Sequence, residues 1–357
     1  MNERIVNFSA GPAAMIESVL RDAQSDLINY KGTGLSVMEM SHRSKEFTQI
    51  HDTALANFRH LLAIPDNYRV LFLQGGASHQ FAMIPMNIAQ PNAPVDVIHT
   101  GSWTKKAIGE LKQGYEYAVV ASNETDNHLV LPALDAASFN PNASYVYMCS
   151  NNTIFGTQWA SFPKTVAPLV VDMSSDILSR PICVEDMGII FAGAQKNIGP
   201  AGLTVVVIRD DLLDRCPDSI PHFFNYTNHV TANSLYNTPP TFAIYMANLV
   251  FEYLIEHGGL VAQEKRNQEK AHRLYEAINQ SPLFYCPVPE SDRSKMNVVF
   301  RHVDHDESVE SAFINAASRA GFSGLKGHRS VGGLRASIYN AQPLENIERF
   351  CDFLHTY

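Results

Sequence analysis

GIIFAGAQKNIGPAGLTVVVIRD (188–210) holds two short apolar runs, 189–192 and 203–208, joined by a loop rich in glycine that carries one lysine, Lys196. Continuous apolar runs of this length read as strands buried on both faces. The link between them is too short for a helical crossover, so the pair is compatible with an antiparallel arrangement. Working outward, the same texture recurs in PLVVDM (168–173), SYVYMC (144–149), VDVIH (95–99) and VLFL (70–73), with helix-like or loop segments between most of them. Apolar strands alternating with crossovers specify an α/β fold with a mainly parallel sheet covered on both faces.

Helical periodicity flanks this core. Ile16, Leu20, Ala23, Leu27 and Tyr30 fall on one face of MIESVLRDAQSDLINY, and Phe47, Ile50, Ala54, Phe58 and Leu61 on one face of EFTQIHDTALANFRHLLAI. A long helical region begins near Thr241 and breaks at Gly258-Gly259, and a charged helix is expected over 262–280. Beyond 281 come a strand-like NVVFRHV, a helix in SVESAFINAASRAGF, a basic glycine-rich segment and a final helix, together a smaller α+β unit. The expected division is an N-terminal segment 1–15, a large domain 16–261 and a small domain 262–357.

Composition narrows the function. A net charge of −9 argues against nucleic acid as main partner. No apolar run approaches a membrane span, and MNERIVNFSAGP has no signal-peptide core, so neither membrane insertion nor secretion is expected. Five scattered cysteines without a CxxC pair suggest no disulfide framework and no zinc site, and a cytoplasmic location fits best. Residues 311–344 lack Asp and Glu yet carry Arg319, Lys326, Arg329 and Arg335, a stretch that serves either as solvated surface or as a small-anion site.

Ligands of open α/β sheets bind beyond the carboxyl ends of the strands, so the residues just after each run carry the chemistry. Gly75-Gly76 after VLFL lets a backbone approach an anion, and the helix that follows offers free N–H groups. Asp172 ends PLVV, where a carboxylate serves as a helix cap, an ion-pair partner or a functional acid. Lys196 has no acid in sequence from Met187 to Arg209; it is either a snorkelling surface lysine or an amine of lowered pKa suited to attack an aldehyde. An amine, a carboxylate for a ring nitrogen and an anion cradle are what pyridoxal phosphate requires.

Seven long motifs then align in order with one known family: NFSAGPA (7–13), GLSVMEMSHRSKEF (34–47), VLFLQGGAS (70–78), SSDILSRPI (174–182), AGAQKNIGPAGL (192–203), NTPPTFAIY (237–245) and KGHRSVGGLRASIYNA (326–341). Across essentially its whole length the sequence resembles the phosphoserine aminotransferases, class-V, fold-type I pyridoxal-phosphate enzymes. The resemblance implies a homodimer that moves the amino group between L-glutamate and 3-phosphohydroxypyruvate in serine biosynthesis, with a second substrate, 4-phosphohydroxy-L-threonine, in pyridoxine biosynthesis. It implies that Lys196 is the Schiff-base lysine and proton shuttle and that Asp172 pairs with the pyridine nitrogen. Trp103 then stacks on the ring, Thr153 bonds the phenolic oxygen, and Ala77, Ser78 and Gln195 hold the phosphate, with Asn237 and Thr238 reaching it from the other subunit. Arg335 is assigned the substrate α-carboxylate. His42, Arg43, His328 and Arg329 are assigned the distal phosphate or carboxylate of small anionic substrates.

Two departures stand out. Ser78 occupies a position where some relatives carry arginine, which leaves phosphate selectivity to His42, Arg43, His328 and Arg329, and Ala10 one where some carry serine, so that a substrate contact there is through backbone or absent. Rival readings are another enzyme of this fold type, such as a serine–glyoxylate aminotransferase or a cysteine desulfurase, and a non-catalytic dimeric relative. No cysteine lies in a Gly/Ser-rich loop near the basic C-terminal stretch, which counts against a desulfurase.

Overall fold

The computed structural model describes residues 4–357; residues 1–3 of the expected N-terminal segment lie outside the described residues. A two-residue strand β1 (Val6–Asn7) is followed by helices α1 (Glu17–Asp26) and α2 (Lys45–Leu62). Ser44 caps α2 by accepting from Phe47 N at 3.2 Å, and Ala63 ends it in the left-handed conformation. Then come β2 (Tyr68–Gly75), α3 (Ala77–Ile88), β3 (Val95–His99), α4 (Ser102–Leu111), β4 (Tyr117–Ser122), β5 (Tyr145–Cys149), β6 (Leu169–Asp172), β7 (Ile189–Gly193) and β8 (Gly202–Arg209). Short helices α5 (Asp210–Leu213) and α6 (Tyr226–Thr231) precede the long pair α7 (Thr241–Glu256) and α8 (Gly259–Gln280).

The seven strands β2 to β8 form one sheet in the order β2-β8-β7-β6-β5-β3-β4. It is parallel except for β8, which runs antiparallel to both β7 and β2. The short link after Lys196 thus makes the antiparallel pair its length suggests, and two reversals leave β2 pointing the same way as β7. The carboxyl ends of β2, β3, β5, β6 and β7 consequently share one edge. Sequence reading missed β4. Its run Tyr117–Ala121 is apolar throughout, yet this edge strand is half-exposed, with Val119 46% accessible.

Side-chain alternation sorts each strand onto two faces. Val70, Phe72, Val146, Met148, Val171 and Ile190 pack under α1, α2 and α7. Leu71, Leu73, Tyr145, Tyr147, Val170 and Phe191 pack under α3 and α4. A separate cluster forms where β9 (Phe284–Tyr285), β10 (Asn297–His302), α9 (Glu307–Arg319), β11 (Phe322–Ser323), β12 (Leu334–Ser337) and α10 (Leu344–Thr356) meet the inner face of α8. Val6 and Phe8 belong to this cluster, and β1 pairs with β11. The charged helix begins at Gly259, three residues before the expected 262, because Gly258 adopts the left-handed conformation that ends α7 and starts α8.

Candidate active site

Along the shared strand edge lies a cavity of about 300 Å³, lined among others by Ala10, Gly11, Ala77, Ser78, Trp103, Cys149, Thr153, Asp172, Gln195, Lys196, His328 and Arg335. Asp172 is the last residue of β6 and only 4% exposed. Its Oδ1 accepts from Ser174 N at 2.9 Å and Ser174 Oγ at 2.6 Å, while Ser174 Oγ accepts from Gly193 N at 3.1 Å. Ser174 thereby locks the end of β6 to the end of β7 and leaves the second carboxylate oxygen to the cavity.

Lys196 lies three residues past β7 in a turn closed by Ala194 N donating to Leu203 O at 2.9 Å and Ile198 N to Ala194 O at 3.1 Å. Its amine sits 5.4 Å from the centroid of the Trp103 ring. Burial lowers its pKa from the ordinary lysine value, opposed by the nearby Asp172 carboxylate. Burial likewise raises Asp172, opposed by Ser174 and Lys196. Desolvation thus pushes amine and carboxylate both toward neutrality, and a cationic ring nitrogen bound between them would restore the ionised carboxylate.

The anion cradle follows from β2. Gly75 has φ +104°, and a side chain there would fall 2.4 Å from His79 Nδ1, so the turn admits only glycine. It opens directly into α3, whose first residues, Ala77 and Ser78, present amides without intrahelical acceptors. Buried carboxylate, buried amine and helix N-terminus on one cavity fit pyridoxal phosphate.

The remaining wall is tied together by direct bonds. Trp103 Nε1 donates to Thr153 Oγ1 at 3.0 Å, and Arg335 Nη1 donates to Thr153 O at 2.8 Å. Arg335 Nε is buried without a hydrogen-bond partner among the described residues, a donor held ready for an anion. Ala13 N donates to Gln195 O at 2.9 Å, and the Ala10 carbonyl accepts from Tyr339 Oη at 2.8 Å, so the N-terminal segment forms part of the wall. Burial, reinforced by Arg335, Arg329 and Lys106, lowers the pKa of His328.

Not every expected residue gathers there. Arg329 and Arg43 are exposed and His42, in the loop before α2, is half-buried, and all three are absent from the cavity lining. Asn237 Nδ2 donates to Gln74 Oε1 at 2.9 Å and Gln74 Nε2 to Thr238 O at 2.9 Å, away from the cavity of their own chain. Conversely, sequence reading overlooked Cys149 and Ser174. Cys149 faces Asp172 across the β5–β6 register, and burial raises its thiol well above the ordinary value, which leaves it a poor nucleophile. Ser174 was legible as a short polar residue two positions after a strand-end aspartate, the Asx-turn pattern.

Comparison with known proteins agrees with this geometry. The sequence profile of the aminotransferase class-V family matches residues 5–350. A phosphoserine aminotransferase from Geobacillus kaustophilus is 51% identical, with 99% of this chain and 98% of the relative covered. One from Lysinibacillus sphaericus is 50% identical over 99% of this chain and 98% of its own length. Among solved structures, phosphoserine aminotransferase from Bacillus circulans subsp. alkalophilus superposes with a TM-score of 0.96 at 46% identity, covering 99% of this chain and 98% of that one. The PLP-bound phosphoserine aminotransferase from Trichomonas vaginalis superposes with a TM-score of 0.94 at 42% identity, covering 99% of this chain and 100% of that one.

Proposed function

The chain belongs to the class-V aminotransferases, and from that premise we propose that it transfers the amino group between L-glutamate and 3-phosphohydroxypyruvate, giving O-phospho-L-serine and 2-oxoglutarate. The cofactor is pyridoxal 5′-phosphate. The observation that carries the reading is the cavity in which Asp172, Lys196 and the α3 N-terminus converge, together with Arg335 on its wall. When bound, pyridoxal phosphate supplies an aldehyde that takes up an amine and a ring that draws electrons from the carbon bearing it.

The chain's own residues do the rest. Lys196 Nζ holds the cofactor and then moves a proton at the substrate Cα, a task suited to an amine whose pKa burial has lowered. Asp172 holds the ring nitrogen in its protonated form, oriented by both Ser174 bonds. Trp103 would cover the ring, Thr153 would meet the phenolic oxygen, and the amides of Ala77 and Ser78 would hold the phosphate with Gln195. Arg335 binds the α-carboxylate with its planar fork. His328 and Arg329 meet the distal anion.

His42, Arg43, Arg329, Asn237 and Thr238 all lie outside the cavity of their own chain, and we propose a homodimer with shared sites in which Asn237 and Thr238 reach the partner's cofactor phosphate. We further propose a cytoplasmic enzyme of serine biosynthesis, also active on 4-phosphohydroxy-L-threonine, with domains at 16–261 and 262–357 and 1–15 as an active-site segment. Among the described residues no helix is long and apolar enough to cross a membrane.

The test is a coupled assay with 3-phosphohydroxypyruvate and glutamate on the purified protein. Turnover is expected, together with yellow colour that glutamate bleaches. A protein that gains no visible absorbance with added cofactor overturns the reading.

A further inference from the structure

Lys270 takes no part in the chemistry of the Lys196 cavity, yet it is 2% exposed on α8. Its Nζ donates to Ile338 O at 2.9 Å and to Tyr339 O at 2.7 Å. Burial of an amine with carbonyls as its bonded partners is costly, and a methionine would fill similar volume without that cost. The two bonds therefore call for a reason, and the reason lies in what residues 338–340 touch.

This three-residue turn continues directly from β12, the strand that carries Arg335. Tyr339 Oη donates to Ala10 O at 2.8 Å, on the cavity wall. Asn340 N donates to Asn197 Oδ1 at 3.0 Å, on the residue beside Lys196, and Asn340 Nδ2 donates to Leu178 O at 2.8 Å. Asn197 in turn donates to Ile177 O at 3.0 Å. One helical turn before Lys270, Asn267 Nδ2 donates to Asn340 Oδ1 at 2.9 Å and Ser179 O at 3.0 Å. The turn is thus clamped from beneath by α8 and meets three parts of the cavity from above: Ala10, the Lys196 loop and the Arg335 strand.

We infer that Lys270 is a positioning residue for the active site, which fixes the 338–340 turn and through it the registry of the Lys196 loop, Ala10 and Arg335. The inference rests on the reading of the Lys196 cavity as the cofactor site. Lys270 touches no substrate or cofactor; its effect passes through Asn340 and Tyr339. A mispositioned turn would shift the Lys196 amine relative to bound cofactor and detune its proton affinity.

The experiment compares wild type with Lys270→Met, Lys270→Gln, Asn197→Ala and the Lys270→Met/Asn197→Ala pair. Four quantities are read: melting temperature, pyridoxal-phosphate affinity of the cofactor-free protein, the pH midpoint of the visible absorbance of the cofactor-loaded protein, and kcat with each KM. Lys270→Met is expected to weaken cofactor affinity about tenfold, move the pH midpoint and lower kcat about tenfold, while Lys270→Gln, which keeps one donor, falls between it and wild type. The paired variant is expected to lose less than the product of the single losses, because both act through the same turn.

A lower melting temperature with unchanged affinity and midpoint makes Lys270 merely structural and overturns the inference. Fully multiplicative effects in the paired variant overturn the route through Asn340. Should Lys270→Met fail to fold, Lys270→Gln carries the test, and unchanged affinity and midpoint in that variant refute the inference. Wild-type protein that gains no absorbance with cofactor overturns the cofactor reading itself, whereas normal wild-type absorbance with unaltered variants overturns this inference alone.

Discussion

The strand-edge half of the site and its loop half are built on different principles. Asp172, Lys196, Trp103, Thr153 and Arg335 are buried or half-buried, and all but Lys196 are held by hydrogen bonds within the cavity wall. His42, Arg43, Arg329, Asn237 and Thr238 stand on loops toward solvent, outside the cavity of their own chain. The first set is preorganised by the sheet and needs no partner to reach its geometry. The second set is placed to act only once something else, a substrate or a second copy, is brought to it. On the proposed reading, the cofactor chemistry sits in the rigid half, and selection among anions in the half that assembly completes.

The largest test of this contrast falls in the rigid half. Lys196→Ala removes the amine proposed to hold the cofactor and move the proton, and kcat is expected to fall by at least about 10²–10⁴ in the coupled assay. Asp172→Asn keeps the shape and the Ser174 bonds but removes the charge opposite the ring nitrogen. Cofactor affinity is expected to drop roughly 10²–10³, equivalent to about 3–4 kcal/mol for breaking a buried charged pair, read by titration of the cofactor-free protein. Loss of only a few-fold in either variant would show that the sheet-held set is not where the chemistry resides.

The same contrast explains what the sequence makes legible. Asp172 and Lys196 can be found because a strand buried on both faces leaves a continuous apolar signature, and the residue at its carboxyl end is then conspicuous. Gly75 is legible because a side chain at its φ is strained and would clash with His79. Cys149 escapes a reading for site residues, because its place beside Asp172 depends on the lateral register of β5 and β6, which no single strand encodes, whereas Ser174 shows in sequence only its local turn with Asp172 and not its bond to Gly193 on β7. Lys270 is hidden most completely. On a helix rich in charge it is indistinguishable by sequence from its solvated neighbours, and only packing against 338–340 reveals that it is buried.

Next in size is Arg335, where the two halves meet. Arg335→Lys keeps a charge but not the planar fork, so KM for glutamate and for 3-phosphohydroxypyruvate is expected to rise together by about 10- to 100-fold, the loss of a charge-assisted bond of about 1.5–3 kcal/mol. Arg43→Ala and Arg329→Ala belong to the loop half. Each should raise KM for the phosphorylated substrate about fivefold and disturb glutamate less, as exposed charges worth about 1 kcal/mol do. An equal rise for both substrates would reject the assignment of these arginines to the distal anion. If Arg43 acts in the site of a second copy, mixed dimers of Arg43→Ala and Lys196→Ala chains regain a site with the wild-type KM; no such recovery would place Arg43 in its own chain's site.

A separate prediction concerns stability rather than turnover and reaches the joint beneath both halves. Burial pushes the pKa of Lys270 down to about 7, with Arg266 one turn away adding to the shift. An unfolded lysine titrates near its usual value of about 10.4. Between these limits the unfolded chain binds more protons than the folded one, so this group makes stability rise with pH across the interval. Below about pH 7 both states are protonated and the slope contributed by Lys270 disappears. Denaturant unfolding of wild type from about pH 7 to about pH 9 should therefore show a positive increment that is missing in Lys270→Met, after subtraction of the shared background from other groups. An identical pH slope in the two proteins would mean that the amine reaches water in the folded state, and the clamp on Ile338 and Tyr339 would then be too loose to set the registry of the Lys196 loop.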